Sequence, residues 1–204
     1  YDVSGSDLKS SRYTKQLEDA GIAVSIGHAA ANIPEGSADE VTVVVSTAIL
    51  DNNPELSEAH RRGLPIIHRA DMLARLGKDL KTLAVAGTHG KTTTSSMLAT
   101  VLDGIGEDPT FLIGGIVHKY GTNARSGSGP LYVIEADESD KSFMRFTPAA
   151  AIVTNIEPDH LDHYSGVDEI YALFARFIAS VPDGSPVVVC ADDERLLALA
   201  HDNA

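Results

Sequence analysis

Short apolar runs alternate along the chain with polar stretches of helical spacing. Within residues 1–80, Tyr1–Ser4 reads as the end of a strand, and Ser11–Ala20 as a polar helix stopped by Gly21. Ile22–Ile26 alternates as a short strand, and the β-branched run Val41–Val45 predicts a buried one. Pro54–Arg62 predicts a helix closed by Gly63, Pro65–Ile67 a short strand, and Asp71–Leu76 a helix ended by Gly77. A second stretch starts near Lys81. Leu83–Ala86, Leu131–Ile134, Ala149–Val153 and Pro186–Cys190 read as strands, and Thr92–Leu102, Val167–Ser180 and Arg195–Ala200 as helices. Tyr171, Phe174 and Phe177 form one helical stripe suited to core packing. Tyr120–Pro130, rich in Gly and Ser, reads as a mobile loop. Repeated strand–helix units imply an α/β fold: a parallel sheet with helices on its faces, in two domains, 1–80 and 81–204.

Three of these strands turn abruptly polar at their C-terminal ends. Leu83–Ala86 runs into Gly-Thr-His-Gly-Lys-Thr, Leu131–Ile134 into Glu-Ala-Asp-Glu-Ser-Asp, and Ala149–Val153 into Thr-Asn-Ile-Glu-Pro-Asp-His. In a parallel sheet such ends share one edge, where open α/β folds bind ligands. Segments far apart in sequence can therefore converge on one site.

Charge narrows the classes. The net charge is −13, which disfavours nucleic-acid binding, because phosphate backbones need Lys and Arg. The same field repels free nucleotides, so any phosphate ligand needs a local device such as a backbone nest, a placed Lys or a metal ion. No apolar run approaches the ~18 residues of a membrane helix. A single cysteine excludes an internal disulfide and a multi-Cys zinc site, and a cytoplasmic location is the simplest expectation.

Gly87-Thr88-His89-Gly90-Lys91-Thr92-Thr93 follows a predicted strand and opens a predicted helix. Glycines let backbone N–H groups turn toward an anion, and a helix N-terminus adds partial positive charge. Lys91 is placed to reach terminal phosphates, and the Thr92 hydroxyl to ligate Mg²⁺. The strict phosphate-loop spacing requires Gly where Val85 stands, so the general pattern fails. The bland alternative is a strand–helix turn with an exposed lysine. Four carboxylates lie within Glu135–Asp140. They form either a solvated acidic turn or the oxygen ligands of a hard cation. Glu135, first after its strand, is then the expected Mg²⁺ partner of Thr92. His160 lies among Asp159, Asp162 and His163. That spacing permits a His/Asp metal site, although neutral imidazole suits Mg²⁺ poorly and loop histidines are more often structural.

The short form Gly-Thr-His-Gly-Lys-Thr-Thr-Thr resembles the Mur ligase family, ATP-dependent amide-forming enzymes of bacterial cell-wall synthesis. Glu135–Asp140 and Thr154–Asp162 match its alanine-adding members in order and spacing, and the resemblance covers essentially the whole chain. It implies an incomplete Rossmann-like domain that binds a UDP-sugar, followed by the front part of a P-loop NTPase-like ATP-binding domain. It implies ATP and Mg²⁺ as cofactors, UDP-N-acetylmuramate and L-alanine as substrates, and neither nucleic acid nor membrane as partner. Lys91, Glu135 and His160 become catalytic, with Thr92, Glu135 and His160 at metal ions and His160 beside the γ-phosphate. Gly87, Thr88, His89, Gly90, Lys91, Thr92, Thr93 and Asn155 become nucleotide-binding. Asp137, Glu138, Ser139 and Asp140 are left as substrate-side or structural. Several Mur ligases adding later residues use a carbamylated lysine after the histidine, whereas the predicted helix centred on Ala172–Arg176 contains no lysine, as in the alanine-adding members.

The resemblance also implies that Gly5-Ser6-Asp7 and Ser46-Thr47-Ala48 face the UDP end, although each is equally an ordinary strand-to-loop turn. His28, His68 and His118 are expected to be structural or exposed, and Asn123 and Arg125 are candidates for substrate contact. Cys190 is expected in the core. Residue 1 is Tyr, and the family's leading strand and Gly-rich loop are not in the sequence, nor is its last domain. The chain is therefore expected to be a fragment with little or no ligase activity alone. Two rivals stand beside the alanine ligase. One is a recycling ligase that attaches a whole peptide to the same sugar nucleotide and carries Tyr where Ser139 stands. The other is a non-catalytic nucleotide-binding module.

Overall fold

The computed structural model describes residues 1–136, 142–157 and 166–203. The chain divides into two compact units, Tyr1–Met72 and Leu73–Ala204. The first holds β1 (Ser4–Asp7), α1 (Arg12–Asp19), β2 (Ala23–Ile26), β3 (Val43–Val45), α2 (Pro54–Arg62) and β4 (Ile66–His68). β1 pairs in parallel with β2, and β3 with β4. Helix ends follow local chemistry. Ser11 and Thr14 form a reciprocal capping box at α1. At α2, Asn53 Oδ1 accepts from the N–H groups of Glu55 and Leu56, Pro54 occupies the first turn, and Gly63 closes the helix at φ 65°.

Two expectations here need correction. The first strand is the polar Ser4–Asp7, not Tyr1–Ser4: pairing with β2 fixes it, and Ser-Gly-Ser-Asp carries no hydrophobic alternation to announce it. The Val43–Val45 strand is not buried in its unit; Val43 and Val45 are half-buried and Val44 is exposed.

Helix α3 (Arg69–Leu76) spans the division. The second unit continues with β5 (Lys81–Ala86), α4 (Lys91–Gly104), β6 (Thr110–Val117), β7 (Thr122–Arg125), β8 (Leu131–Glu135), β9 (Ala150–Val153), α5 (Val167–Ile178), β10 (Val187–Val189) and α6 (Glu194–Asn203). Its six-stranded sheet has the order β10-β9-β5-β8-β6-β7, parallel except for β7. Alternation along the strands builds two cores. Val133 joins Phe111, Ile113 and Ala99 in the cluster that includes α4, whereas Tyr132 and Ile134 join Phe143, Phe174, Phe177 and Leu196 in the cluster that includes α5 and α6. Phe174 and Phe177 are fully buried, and Tyr171 packs at the margin of that cluster. Among the described residues no helix is long and apolar enough to cross a membrane.

The Gly/Ser-rich segment is not a loose loop. Thr122–Arg125 is an antiparallel edge strand. Arg125 Nη1 donates to Asp103 at 3.0 Å, and its other terminal nitrogen pairs with Asp108. Gly127 and Gly129 serve close approach: a Cβ there would lie 2.0 Å from the Asp108 carbonyl oxygen and 1.8 Å from that of Glu107. Cys190 is exposed rather than buried, because it lies past the end of the short edge strand β10.

Lys119, then Arg125, hold the Asp103 carboxyl far below the usual carboxylate range. Asp108 is lowered first by the backbone and hydroxyl of Ser128. A folded-state pKa below the unfolded value gives stability that is complete above the unfolded pKa, about 4, and lost as pH falls through the folded one. Melting temperature should therefore drop below about pH 4, and Asp103→Asn should flatten that acid limb in a series of thermal melts.

Candidate functional site

The ends of β5, β8 and β9 lie side by side. Val85 is in register with Glu135, and Ala86 with Val153. β5 runs through Gly87–Gly90 straight into α4. Gly90 is the N-cap of α4 in the left-handed region, φ 83°, with no side-chain cap. A Ser or Asp at this position would cap the first turn with its own side chain, whereas glycine brings no side chain to the end of the helix that favours an anion. Gly87 has φ +124°, and a Cβ on it would lie 2.2 Å from Thr154 Oγ1.

The loop is fastened to the chain that leaves β9. Thr88 N–H donates to the Asn155 carbonyl at 3.0 Å. Asn155 Oδ1 accepts from His89 N–H at 2.9 Å, and its Nδ2 donates to His89 O at 3.0 Å. Thr154 Oγ1 donates to the same carbonyl at 2.6 Å. Glu157 N–H donates to Thr88 Oγ1 at 2.9 Å, and His89 Nε2 lies 3.7 Å from Glu157 Oε2. Asn155 thus pairs with His89 as a second peptide group would.

Lys91 Nζ donates to Gly87 O at 2.6 Å and to Thr88 O at 3.2 Å, so its charge sits at the loop. Thr92 Oγ1 lies 3.0 Å from both oxygens of Glu135. Thr93 is exposed in the first turn of α4. The structure therefore brings Gly87, Thr88, His89, Gly90, Lys91, Thr92, Glu135 and Asn155 to one edge. His160 lies outside the described residues, as do Asp137, Glu138, Ser139, Asp140, Asp159, Asp162 and His163.

Sequence reading missed Gly114 and Gly115. Gly114 N–H donates to Glu135 Oε2 at 2.7 Å, and a Cβ on Gly115 would lie 2.8 Å from Thr92 Cγ2. The available signal was a glycine pair interrupting the apolar run Phe111–Val117. The two candidates for substrate contact bond to neighbouring parts of their own unit. Arg125 pairs with Asp103 and Asp108, and Asn123 Nδ2 donates to Ile113 O at 3.2 Å. His28 Nδ1 bonds Ser6 Oγ at 3.0 Å, His68 Nδ1 accepts from Ala70 N–H, and His118 is exposed.

The chain that carries this glycine-punctuated strand–helix loop, with Lys91 at its mouth and Thr92 on Glu135, matches known proteins over nearly all of its length. Residues 1–80 match the model for the Mur ligase family, catalytic domain, and residues 85–204 that for the Mur ligase middle domain. The chain belongs to the Mur ligase family. Among its relatives, the UDP-N-acetylmuramate–L-alanine ligase of Rubrobacter xylanophilus is 50% identical over 98% of this chain and 44% of its own length. That of Pelotomaculum thermopropionicum is 52% identical over 98% of this chain and 42% of its own. The chain spans less than half the length of these curated Mur ligases. The UDP-N-acetylmuramate-alanine ligase of Thermotoga maritima superposes with a TM-score of 0.85 at 33% identity, covering 97% of this chain and 45% of that one. The UDP-N-acetylmuramate:L-alanyl-gamma-D-glutamyl-meso-diaminopimelate ligase of Neisseria meningitides gives 0.86 at 31% identity, covering 99% and 67%. The mixed α/β architecture is thus that of the Mur ligases.

Proposed function

We propose that this chain is part of an ATP-dependent ligase that joins L-alanine to the lactoyl carboxylate of UDP-N-acetylmuramate, in the cytoplasm, for peptidoglycan precursor synthesis. Residues 1–80 are the partial UDP-sugar domain in this reading, and residues 81–204 the front part of the ATP-binding domain. The observation that carries it is the Thr92–Glu135 contact beside Lys91 at the uncapped start of α4. About 50% identity to relatives of that name supports the choice of substrates.

The donor set suits Mg²⁺. Thr92 and Glu135 offer only hard oxygen atoms, and Gly114 and Gly115 place no side chain against them. Thr92 and Glu135 would hold one ion; His160 enters as a further metal ligand on its sequence motif alone. Bound Mg²⁺ would offset negative charge on the phosphates. In the reaction, a lactoyl carboxylate oxygen attacks the γ-phosphorus, the bond to the β–γ bridging oxygen breaks, and ADP leaves an acyl phosphate. The L-alanine amine then attacks the acyl carbon and gives up a proton to solvent, and the tetrahedral intermediate expels phosphate. Lys91 Nζ and the first-turn N–H groups of α4 stabilise charge on the transferred group, so the chain's contribution is positioning and electrostatics.

The test is phosphate release by the full-length protein. It should require both UDP-N-acetylmuramate and L-alanine; release that ignores L-alanine contradicts the reading. The Neisseria superposition favours a second reading, a ligase that attaches a peptide to the same sugar nucleotide. Competition between L-alanine and a tripeptide separates the two. Nucleotide binding with no substrate-dependent turnover would instead leave a non-catalytic module.

Asn155→Ala deletes two hydrogen bonds to His89, each contributing about 1 kcal/mol. If that loss falls wholly on the nucleotide-bound state, ATP affinity should fall about thirtyfold, as read by isothermal titration calorimetry.

A further inference from the structure

β6 does not follow its neighbour β7 evenly. Leu112 pairs with Ala124 and Val117 with Thr122, so β6 bulges between them. Gly114 and Gly115 lie at the middle of this bulged stretch, between Leu112 and Val117. It is pinned from β7 by Asn123, whose Nδ2 donates to Ile113 O at 3.2 Å. Bulges re-aim groups beside functional sites. Here the freed Gly114 N–H turns toward the neighbouring strand's carboxylate and donates to Glu135 Oε2 at 2.7 Å. Glu135 is thereby gripped from two sides, by Thr92 Oγ1 and by Gly114 N–H.

The lack of side chains matters as much as the donor. A Cβ at 114 would lie 3.0 and 3.1 Å from the Glu135 oxygens, and a Cβ at 115 would lie 2.8 Å from Thr92 Cγ2. Each glycine therefore backs one member of the Thr92–Glu135 pair. Gly114 is exposed and neither residue has positive φ, so backbone conformation does not demand glycine at either position.

We infer that the Gly114-Gly115 bulge, pinned by Asn123, is a positioning device that holds Glu135 and Thr92 in the geometry that takes a divalent cation with ATP. This rests on the Mg²⁺–ATP reading above. Gly114, Gly115 and Asn123 act through Glu135 and Thr92 and are positioning residues.

The experiment is a calorimetric titration of full-length protein with a non-hydrolysable ATP analogue at graded Mg²⁺, and again in EDTA. The wild type decides the underlying reading: analogue binding that Mg²⁺ does not strengthen overturns that reading and this inference together. Given Mg²⁺-strengthened binding, the variants decide the inference alone. Gly114→Ala and Gly115→Ala should each raise the Mg²⁺ concentration for half-maximal binding about tenfold or more, as loss of outer-shell support does. Metal-free affinity should stay at the wild-type value. Asn123→Ala adds no atom to the site and should produce a smaller shift of the same kind. Wild-type Mg²⁺ dependence in both glycine variants overturns the inference. So does an equal loss of binding with and without metal in Asn123→Ala, which would mark the bulge as a general folding element.

Discussion

Lys91→Ala should lower kcat/KM for ATP by about 10²–10³-fold in the full-length enzyme, the range seen when one preorganised charge-stabilising donor is removed. Lys91 lies at the start of α4, and its Nζ reaches back to the Gly87 and Thr88 carbonyls. Its ammonium is therefore held over the loop that would cradle the phosphates. The same substitution removes the two bonds from Nζ to the Gly87 and Thr88 carbonyls, so the melting temperature should fall as well. Steady-state kinetics beside a thermal melt separate the two effects. A variant with wild-type kcat/KM would remove Lys91 from phosphate chemistry.

Gly87→Ala should abolish ATP binding and also destabilise the fold. A β-carbon there meets Thr154 Oγ1 at 2.2 Å, Thr154 N at 2.9 Å and Asn155 O at 3.0 Å, at φ +124°. Backbone strain alone amounts to about 1–3 kcal/mol. The loop can escape only by leaving β9, which breaks the Thr88 N–H to Asn155 O bond. Adding Thr154→Ala removes the nearest clash but leaves both backbone atoms and the φ requirement, so the double variant should not recover. Calorimetric titration with ATP checks binding, and a melt checks stability. Wild-type ATP affinity in Gly87→Ala would show that the loop moves freely.

The legible parts of the fold were those where hydrophobic pattern and punctuation agree. Pro54–Arg62 is bounded by a Pro and a left-handed Gly, and both marks appear in the sequence. Leu131–Glu135 is a short apolar run ending at a carboxylate, and its core position follows from that run. The site was legible for the same reason: apolar strands that end in polar residues put Lys91, Thr92 and Glu135 on one edge once the strands are parallel neighbours. Polar strands were not legible. Ser4–Asp7 and Thr122–Arg125 are held by ladders and ion pairs with distant residues, and no local periodicity encodes those partners. Gly114 and Gly115 interrupted an apolar run, and only the neighbouring β8 explains why. Cys190 looked like core because its run is apolar, but β10 is an edge strand and ends before it.

The central claim is that the adjoining ends of β5, β8 and β9 hold a metal-bound triphosphate. Its most direct test is a crystal structure of the full-length protein with a non-hydrolysable ATP analogue and Mg²⁺. The account predicts that Lys91 Nζ has moved onto the terminal phosphates, with an ion bonded to Thr92 Oγ1 and the Glu135 carboxylate. A triphosphate bound elsewhere, or an ion touching neither Thr92 nor Glu135, would contradict it.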